Sequence, residues 1–172
     1  YSRVNPRYVS PEDLQRIIYS EPEKVSSKFN ASYATLLNLY QKYGERLYDI
    51  YPKSFHYFQE HKKNRQRALE SLRSKVALLK DLGHIRKNRL TVKGEFAAKV
   101  YGYELLLSEL FDRGVLEELS EQQLGILALA VVYEPRKGVA KPRLSPQAKN
   151  LEHRLEEIES MLQRREHRFR VQ

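Results

Sequence analysis

The chain has 172 residues, enough for one large domain or two small ones, and 41% of them are hydrophobic, so a packed core is expected. Cysteine is absent, which excludes disulfides, cysteine-ligated zinc and thiol catalysis. No apolar run approaches the length of a membrane span and no signal peptide is recognisable, so we expect a cytoplasmic protein. The chain opens at Tyr1 rather than Met, and we therefore expect a piece of something longer.

The net charge of +9 lies in the middle third of the chain. Residues 52–100 hold 13 basic and 4 acidic side chains, whereas residues 1–51 hold 7 and 6, and residues 101–172 hold 11 and 12. A concentrated basic excess is the usual footprint of a polyanionic partner. A solvated basic face, or a face that docks on an acidic neighbouring domain, would give the same pattern.

The first third is predicted to be helical after an extended start over residues 1–12. Ser10 caps a helix whose apolar side chains Leu14, Ile17 and Ile18 should be buried, and Pro22 ends it. A second helix is predicted over residues 26–43 from the spacing of its apolar side chains: Phe29, Tyr33, Leu36, Leu37 and Tyr40.

Short elements follow up to residue 59. Gly44 offers a break, a short element around Leu47–Tyr51 stops at Pro52, and Ser54 caps a helix with Phe55 and Phe58 on one side. Nine of the 12 tyrosines fall in residues 1–57. Tyrosines between basic groups can stack on bases, but at helical spacing they are more typical of a core with the hydroxyl at its rim.

The longest helical pattern covers residues 60–82 and ends at Gly83, a residue suited to the left-handed position after a helix. Its exposed face is predicted to be basic: Lys62, Lys63, Arg65, Arg67, Arg73, Lys75 and Lys80. Two short strands, Ile85-Arg86 and Leu90-Thr91-Val92, are predicted to form a hairpin around a polar turn at residues 87–89. A helix over residues 94–100 completes a pattern typical of a winged helix with a basic wing.

The last third is predicted to be helical. A helix over residues 103–111 closes at Gly114, and Ser120 with Gln123 forms a capping box that opens an apolar helix through Val132, which should be buried centrally. A linker ends at residue 146, where a helix begins that continues to residue 168. Its narrow apolar stripe suits a helix laid across a partner surface: Leu151, Leu155, Ile158 and Leu162.

Catalytic and nucleotide-binding motifs are absent from the sequence. None of the 7 glycines is followed by Lys, so there is no phosphate-cradling loop of the Gly-Lys-Ser/Thr type. The five histidines are scattered without metal-ligand spacing, and no nucleophile has a plausible base. We do not expect the chain alone to be an enzyme, or to bind a cofactor or a metal.

Three stretches together carry a family resemblance. Residues 26–40 and 53–59 contain a Ser-x-Phe helix and a Ser-Phe-x-x-Phe-Gln element, made of Ser27, Phe29, Tyr33, Leu37, Asn38, Leu39, Ser54, Phe55, Phe58 and Gln59. Residues 76–85 resemble a Val-Leu-x-x-Leu-Gly-aromatic motif, with His84 in the aromatic position. Residues 92–136 are the most specific, with Lys93-Gly94 near their start and then Glu104-Leu105-Leu106-Leu107.

These features resemble the exosome-type, HelY-like superfamily-two ATP-dependent RNA helicases, in the region after the second RecA-like motor domain. The resemblance covers roughly residues 20–165. Only about a dozen residues separate Gln59 from Arg73, so the arch insertion of eukaryotic members is missing, and the chain has no Trp for the family's later Trp-x-x-Gly element.

The resemblance implies a mainly α accessory region of a 3′-to-5′ RNA helicase that contains a winged-helix unit with a small β-hairpin, followed by a segment of a helical bundle. Its partners would be single-stranded nucleic acid and the motor domains of its own parent chain, which would hold ATP and Mg²⁺. Five segments are expected: 1–59, a helical lead-in; 60–101, a winged-helix-like unit; 102–135, the start of the helical domain; 136–145, a linker; and 146–172, a terminal helix.

The candidates for phosphate contact are basic residues of the central segment: Arg65, Arg73, Arg86, Lys87, Arg89 and Lys93. Two other functions stay open. A free-standing winged-helix DNA-binding regulator would dimerise through the 146–168 helix. A protein-docking scaffold would use that helix and bare apolar surface instead.

Overall fold

The computed structural model describes residues 10–20, 31–132 and 144–171. The described chain is mainly α with one small antiparallel hairpin, as the sequence predicts. Its elements in chain order are α1 Pro11–Tyr19, α2 Tyr33–Tyr43, α3 Leu47–Ile50, α4 Phe55–Gln59, α5 Lys62–Asp81, β1 Ile85–Arg86, β2 Arg89–Leu90, α6 Val92–Ala97, α7 Glu104–Asp112, α8 Val115–Glu118, α9 Glu121–Val132 and α10 Pro146–Phe169. Short 3-10 turns at residues 44–46 and 51–53 flank α3.

Serine caps set the starts of most of the longer helices. The Ser10, Ser54 and Ser145 hydroxyls each accept a hydrogen bond from the backbone N–H three residues on, so that α1, α4 and α10 begin where the sequence predicts. Ser120 and Gln123 form the predicted reciprocal capping box at the start of α9.

The predicted start of α2 is wrong. Ser32 has an extended backbone and its hydroxyl accepts from the N–H of Thr35, so the helix begins at Tyr33 and not at residue 26. Residues 26–30 of the predicted helix, the extended start at residues 1–9 and most of the predicted linker lie outside the described residues.

The core lies between α2, α5, α7 and α10. The fully buried side chains of α2 and α5 meet at its centre: Leu36, Leu37, Tyr40, Leu72, Val76, Leu78 and Leu79. α6 packs on α7 and on α2, and α10 lies on both α5 and α7. Elements distant in sequence therefore close around the middle of the chain.

The apolar stripe of α10 packs within this chain rather than on a separate partner. Leu151, Ile158 and Leu162 are 3–6% exposed and join the core cluster. Two polar contacts at the far end fix the helix: Arg165 Nη1 lies 2.7 Å from Asp81 Oδ2, and the Tyr33 hydroxyl donates to Glu166 Oε1 at 2.6 Å. The expectation that this stripe would lie across a partner surface is wrong.

Two burial predictions are also wrong. None of the residues of α1 is buried, with Ile17 43% and Ile18 52% exposed. In α9, among the residues whose burial is described, only Leu127 is buried, whereas Leu129 is 68% exposed. Both helices present apolar side chains that nothing in the described part of the chain covers.

No helix among the described residues combines the length and the apolar character that crossing a membrane requires.

Candidate nucleic-acid interface

The basic hairpin is joined to α5 by a close turn. Gly83 has a left-handed φ of 80°, its N–H donates to Lys80 O, and the N–H of His84 donates to Leu79 O. These two bonds form a Schellman motif, which ends a helix and fixes the direction of the chain that leaves it. The hairpin therefore extends from the end of α5 in a defined direction.

The two faces of the hairpin differ in chemistry. Ile85 pairs with Leu90; Ile85 is buried and Leu90 half-buried. Arg86 pairs with Arg89 directly opposite, and both side chains are exposed. Like charges facing each other across an antiparallel pair destabilise it, so this arrangement costs folding energy that an anionic partner would recover.

The turn of the hairpin has two residues rather than the predicted three, and β2 covers residues 89–90 rather than 90–92. Lys87 and Asn88 have φ of 48° and 59°, the left-handed values of a type I′ turn, so Arg89 belongs to β2 rather than to the turn. Thr91 leaves the strand, and its hydroxyl caps α6 by accepting from the N–H of Gly94. Val92 consequently begins α6.

The tip of the hairpin is tied to α2 by a polar network. The Tyr40 hydroxyl donates to Glu45 Oε1 at 2.6 Å, and the same oxygen accepts from Lys80 Nζ at 2.6 Å. Burial and the bond to Glu45 raise the pKa of Tyr40 to about 12, and Lys80 lowers the pKa of Glu45. Asn88 Oδ1 lies 3.2 Å from the same hydroxyl, so the side chain of the second turn residue also contacts this network.

Three predicted phosphate contacts come together on this hairpin. Arg86, Lys87 and Arg89 are exposed, and the described residues include no acidic partner for any of them. Arg73, also exposed, lies on α5 with its guanidinium 5.7 Å from the centre of the Tyr48 ring. These four side chains can offer charge to an anion without breaking an ion pair within the described part of the chain.

Arg65 is half-buried and already donates to backbone carbonyls. Its Nη2 donates to Phe58 O at 2.7 Å and its Nε to Glu60 O at 3.1 Å, while its guanidinium lies 5.6 Å from the centre of the Tyr57 ring. Arg65 therefore fixes the end of α4 against α5.

Lys93 lies apart from the exposed basic group. Its side chain is 6% exposed, and its ammonium forms a close ion pair with Glu109 and lies 3.5 Å from Asp112 Oδ2. It also donates to Leu82 O at 3.0 Å, so it joins α6 to α7 and to the end of α5. A phosphate could reach this ammonium only by displacing Glu109, which would leave a buried carboxylate unpaired.

Close packing against His84 accounts for the glycine in the Lys93-Gly94 pair. A Cβ on this residue would lie 2.1 Å from the carbonyl oxygen of His84, closer than any real side chain allows. That carbonyl already accepts from the backbone N–H of Thr91. Lys93 and Gly94 together hold α6 against the base of the hairpin.

His84 is a fully buried, neutral ring beneath the hairpin. Ser108 Oγ donates to Leu105 O, so His84 Nε2 must donate to Ser108 Oγ at 2.7 Å, and Nδ1 is the unprotonated nitrogen with no partner among the described residues. Burial, followed by the charge of Lys93, lowers the pKa of His84 from 6.5 to about 4. His84 stands at the aromatic position of the motif that residues 76–85 resemble.

The predicted basic face of α5 is smaller in the structure. Lys75 is half-buried, where its Nζ donates to Ala31 O at 2.7 Å and burial lowers its pKa. Lys80 is paired with Glu45. No sequence signal separates these lysines from their exposed neighbours, because their partners lie 44 and 35 residues away. Among the described residues, no cluster of His, Asp or Glu could hold a metal ion.

Comparison with known families identifies the C-terminal half of the chain. The profile of the DSHCT (NUC185) domain matches residues 87–172, which is 86 of the 172 residues. The chain belongs to the DSHCT domain family. DSHCT domains occur in the C-terminal regions of superfamily-two RNA helicases, so this chain is part of a helicase C-terminal region. No curated protein matches the chain.

The match begins at Lys87, within the turn of the hairpin. The DSHCT part thus contains Lys87, Arg89 and Lys93, whereas Arg65, Arg73 and Arg86 precede it. The hydrogen bond from Lys93 Nζ to Leu82 O and the His84–Gly94 contact join the two parts of the chain into one packed unit.

Proposed function

We propose that this chain is the accessory, non-catalytic region of an ATP-dependent 3′-to-5′ RNA helicase, and that its hairpin grips the phosphate backbone of the RNA strand. The motor domains of the parent helicase would bind ATP and Mg²⁺, and this region would brace them. The DSHCT match supports the helicase context. The paired, exposed Arg86 and Arg89 at the base of the turn carry the proposal of strand contact.

A winged helix fits the arrangement of the N-terminal part. α2 packs on α5, the hairpin follows α5 directly, and α6 closes against α2 and β2. In this arrangement the hairpin is the wing, and a basic wing supplies contacts to phosphate that fix the position of the strand without reading its sequence.

The test is RNA binding by the whole chain across a salt series. The Arg86→Ala, Lys87→Ala, Arg89→Ala triple variant should bind a labelled single-stranded RNA more weakly. Because each lost phosphate contact lowers the slope of log K against log salt by about 0.7 for single strands, the slope should fall by about 2. Fluorescence anisotropy at four or five salt concentrations measures both quantities.

A matched control removes the same charge elsewhere. Lys149, Arg164 and Arg168 are exposed on α10, and their replacement by Ala lowers the net charge by the same three units. This variant should keep most of the slope of the unmodified chain. Equal loss in both triple variants would show that net charge alone governs binding, and unchanged affinity in the hairpin variant would rule out the wing contact.

The alternative function, a dimeric DNA-binding regulator, lacks the dimer interface that it requires. Leu151, Ile158 and Leu162 are buried against the chain's own core, and hence this stripe is not available for a coiled coil. The docking scaffold keeps one supporting observation, the bare apolar side chains of α1 and α9. A chain that binds no RNA at low salt would favour the scaffold.

A further inference from the structure

Two phenylalanine rings lie exposed side by side on α4. Phe55 is 50% exposed and Phe58 71% exposed, and one helical turn separates them. Their ring centres are 6.4 Å apart and their planes differ by 21°, so the two rings are nearly parallel. Exposed apolar side chains that adjoin one another, rather than lie singly, are typical of surfaces that bind a partner.

The backbone that carries these rings is held firmly. Ser54 caps the start of α4, and Arg65 from α5 donates to the carbonyl of Phe58 itself. Tyr57, on the inner side of the same helix, meets the Tyr51 ring edge-on at 5.6 Å between centres. The exposed rings therefore stand on a fixed base, which lowers the conformational entropy that binding would cost.

The sequence on both sides of the two rings is basic. Residues 53–67 hold five basic side chains, Lys53, Lys62, Lys63, Arg65 and Arg67, and one acidic side chain, Glu60, whose carboxylate lies 3.9 Å from His56 Nε2. Lys53, Lys62, Lys63 and Arg67 are exposed and have no ion-pair partner among the described residues. This charge favours a polyanion over an apolar protein segment as the partner of the rings.

We propose that Phe55 and Phe58 form a platform on which unpaired bases of a single-stranded nucleic acid stack, while the surrounding lysines and Arg67 contact its phosphates. Aromatic faces combined with cations are the means by which proteins hold single strands without reading sequence. The platform deepens the proposed function, on which it rests for the identity of the strand. It assigns the bases of that strand to a second site, distinct from the hairpin.

The absence of tryptophan from the chain provides a direct reporter. Phe58→Trp places a single indole on the platform, where a stacked base quenches its fluorescence. The probes are a 12-nucleotide oligouridylate and an abasic oligomer of equal length and charge. We expect quenching by oligouridylate and little by the abasic oligomer, since only the former has bases that can stack.

A second variant separates stacking from charge. Phe58→Leu keeps an apolar side chain but removes the ring, and should weaken oligouridylate binding about tenfold. The slope of log K against log salt should not change, since no phosphate contact is lost. Tyr101→Leu, at a residue that is 82% exposed outside α4, is the matched loss of an exposed ring and should leave binding unchanged.

Two results would overturn the platform. One is an unquenched Phe58→Trp variant together with full affinity in Phe58→Leu. That result would favour a protein segment as the partner of the rings and of the apolar groove of about 300 Å³ beside Phe55. The other is an equal loss of affinity for oligouridylate and for the abasic oligomer in the Phe58→Leu variant. The hairpin proposal can fail independently of the platform. In that case the hairpin triple variant keeps the salt slope of the unmodified chain, while the fluorescence of Phe58→Trp is still quenched.

Discussion

At the scale of single residues, His84 makes folding stability depend on pH. The ring is buried and neutral in the folded chain, with its pKa lowered to about 4 by burial and by the nearby Lys93 charge. In the unfolded chain the same ring titrates near pH 6.5. Between these two values the unfolded chain binds the additional proton, so the free energy of unfolding falls as the pH falls.

We predict that acidification from pH 7 to pH 4 removes up to about 3 kcal/mol of stability through this residue alone. Urea unfolding at half-unit pH intervals measures it. His84→Phe is the control, since it keeps a buried ring, and Ser108 can still donate to Leu105 O. The control should flatten the curve between pH 6.5 and about 4.5. An equally steep curve in the His84→Phe variant would assign the pH dependence to other groups.

The exposed cations of the candidate site could be predicted from the sequence, but the buried ones could not. Lys87 lies in a two-residue turn that Arg86 and Arg89 flank, and the residues of such a turn face water wherever the hairpin packs. Lys93 is equally basic and only four residues further on, yet its carboxylate partner lies 16 residues away on another helix. The charge pattern of the sequence does not show which distant residues come into contact, and it therefore could not predict this ion pair.

At the scale of elements, the hairpin turn sets stability against binding. Type I′ turns need left-handed backbone at both central residues, where Asn and Gly are favoured and Lys is strained. Lys87 occupies the first of these positions with φ 48°. A strained residue that carries an exposed charge is where function and stability should oppose each other.

We predict that Lys87→Asn raises the free energy of unfolding by about 0.5–1 kcal/mol while it weakens RNA binding a few-fold. Thermal unfolding and anisotropy measure the two effects. Lys87→Gln removes the same charge but keeps the strained backbone, so it should weaken binding without raising stability. If both variants have the stability of the unmodified chain, the turn stores no strain.

Helix positions followed from local sequence, whereas burial often did not. A serine cap and a glycine stop act within one turn of their helix, so α4 begins where predicted, and α5 and α10 lie close to their predicted bounds. Burial depends on which surface comes to cover a helix. The apolar pattern of α9 predicts burial on all sides, but within the described chain the helix packs mainly against α10, with Leu127 inward.

At the scale of the whole molecule, α10 closes the fold around the basic elements. It lies on α5 and α7, which hold the hairpin through the Schellman turn and the buried Lys93–Glu109 pair. The position of the hairpin therefore depends on a helix that starts more than 50 residues later in the chain. Contacts of this range make unfolding cooperative and tie the candidate site to the core.

We predict that Ile158→Ala destabilises the whole chain and not α10 alone. Ile158 is 3% exposed, and truncation of such a side chain typically costs about 2–5 kcal/mol. Because α10 packs on two core helices, circular dichroism and tyrosine fluorescence should both shift to lower urea with coincident midpoints. Leu129→Ala, at a residue that is 68% exposed on α9, should shift neither signal by a comparable amount. Separate midpoints in the Ile158→Ala variant would mean that α10 folds as an appendage, and the hairpin would then keep its position without it.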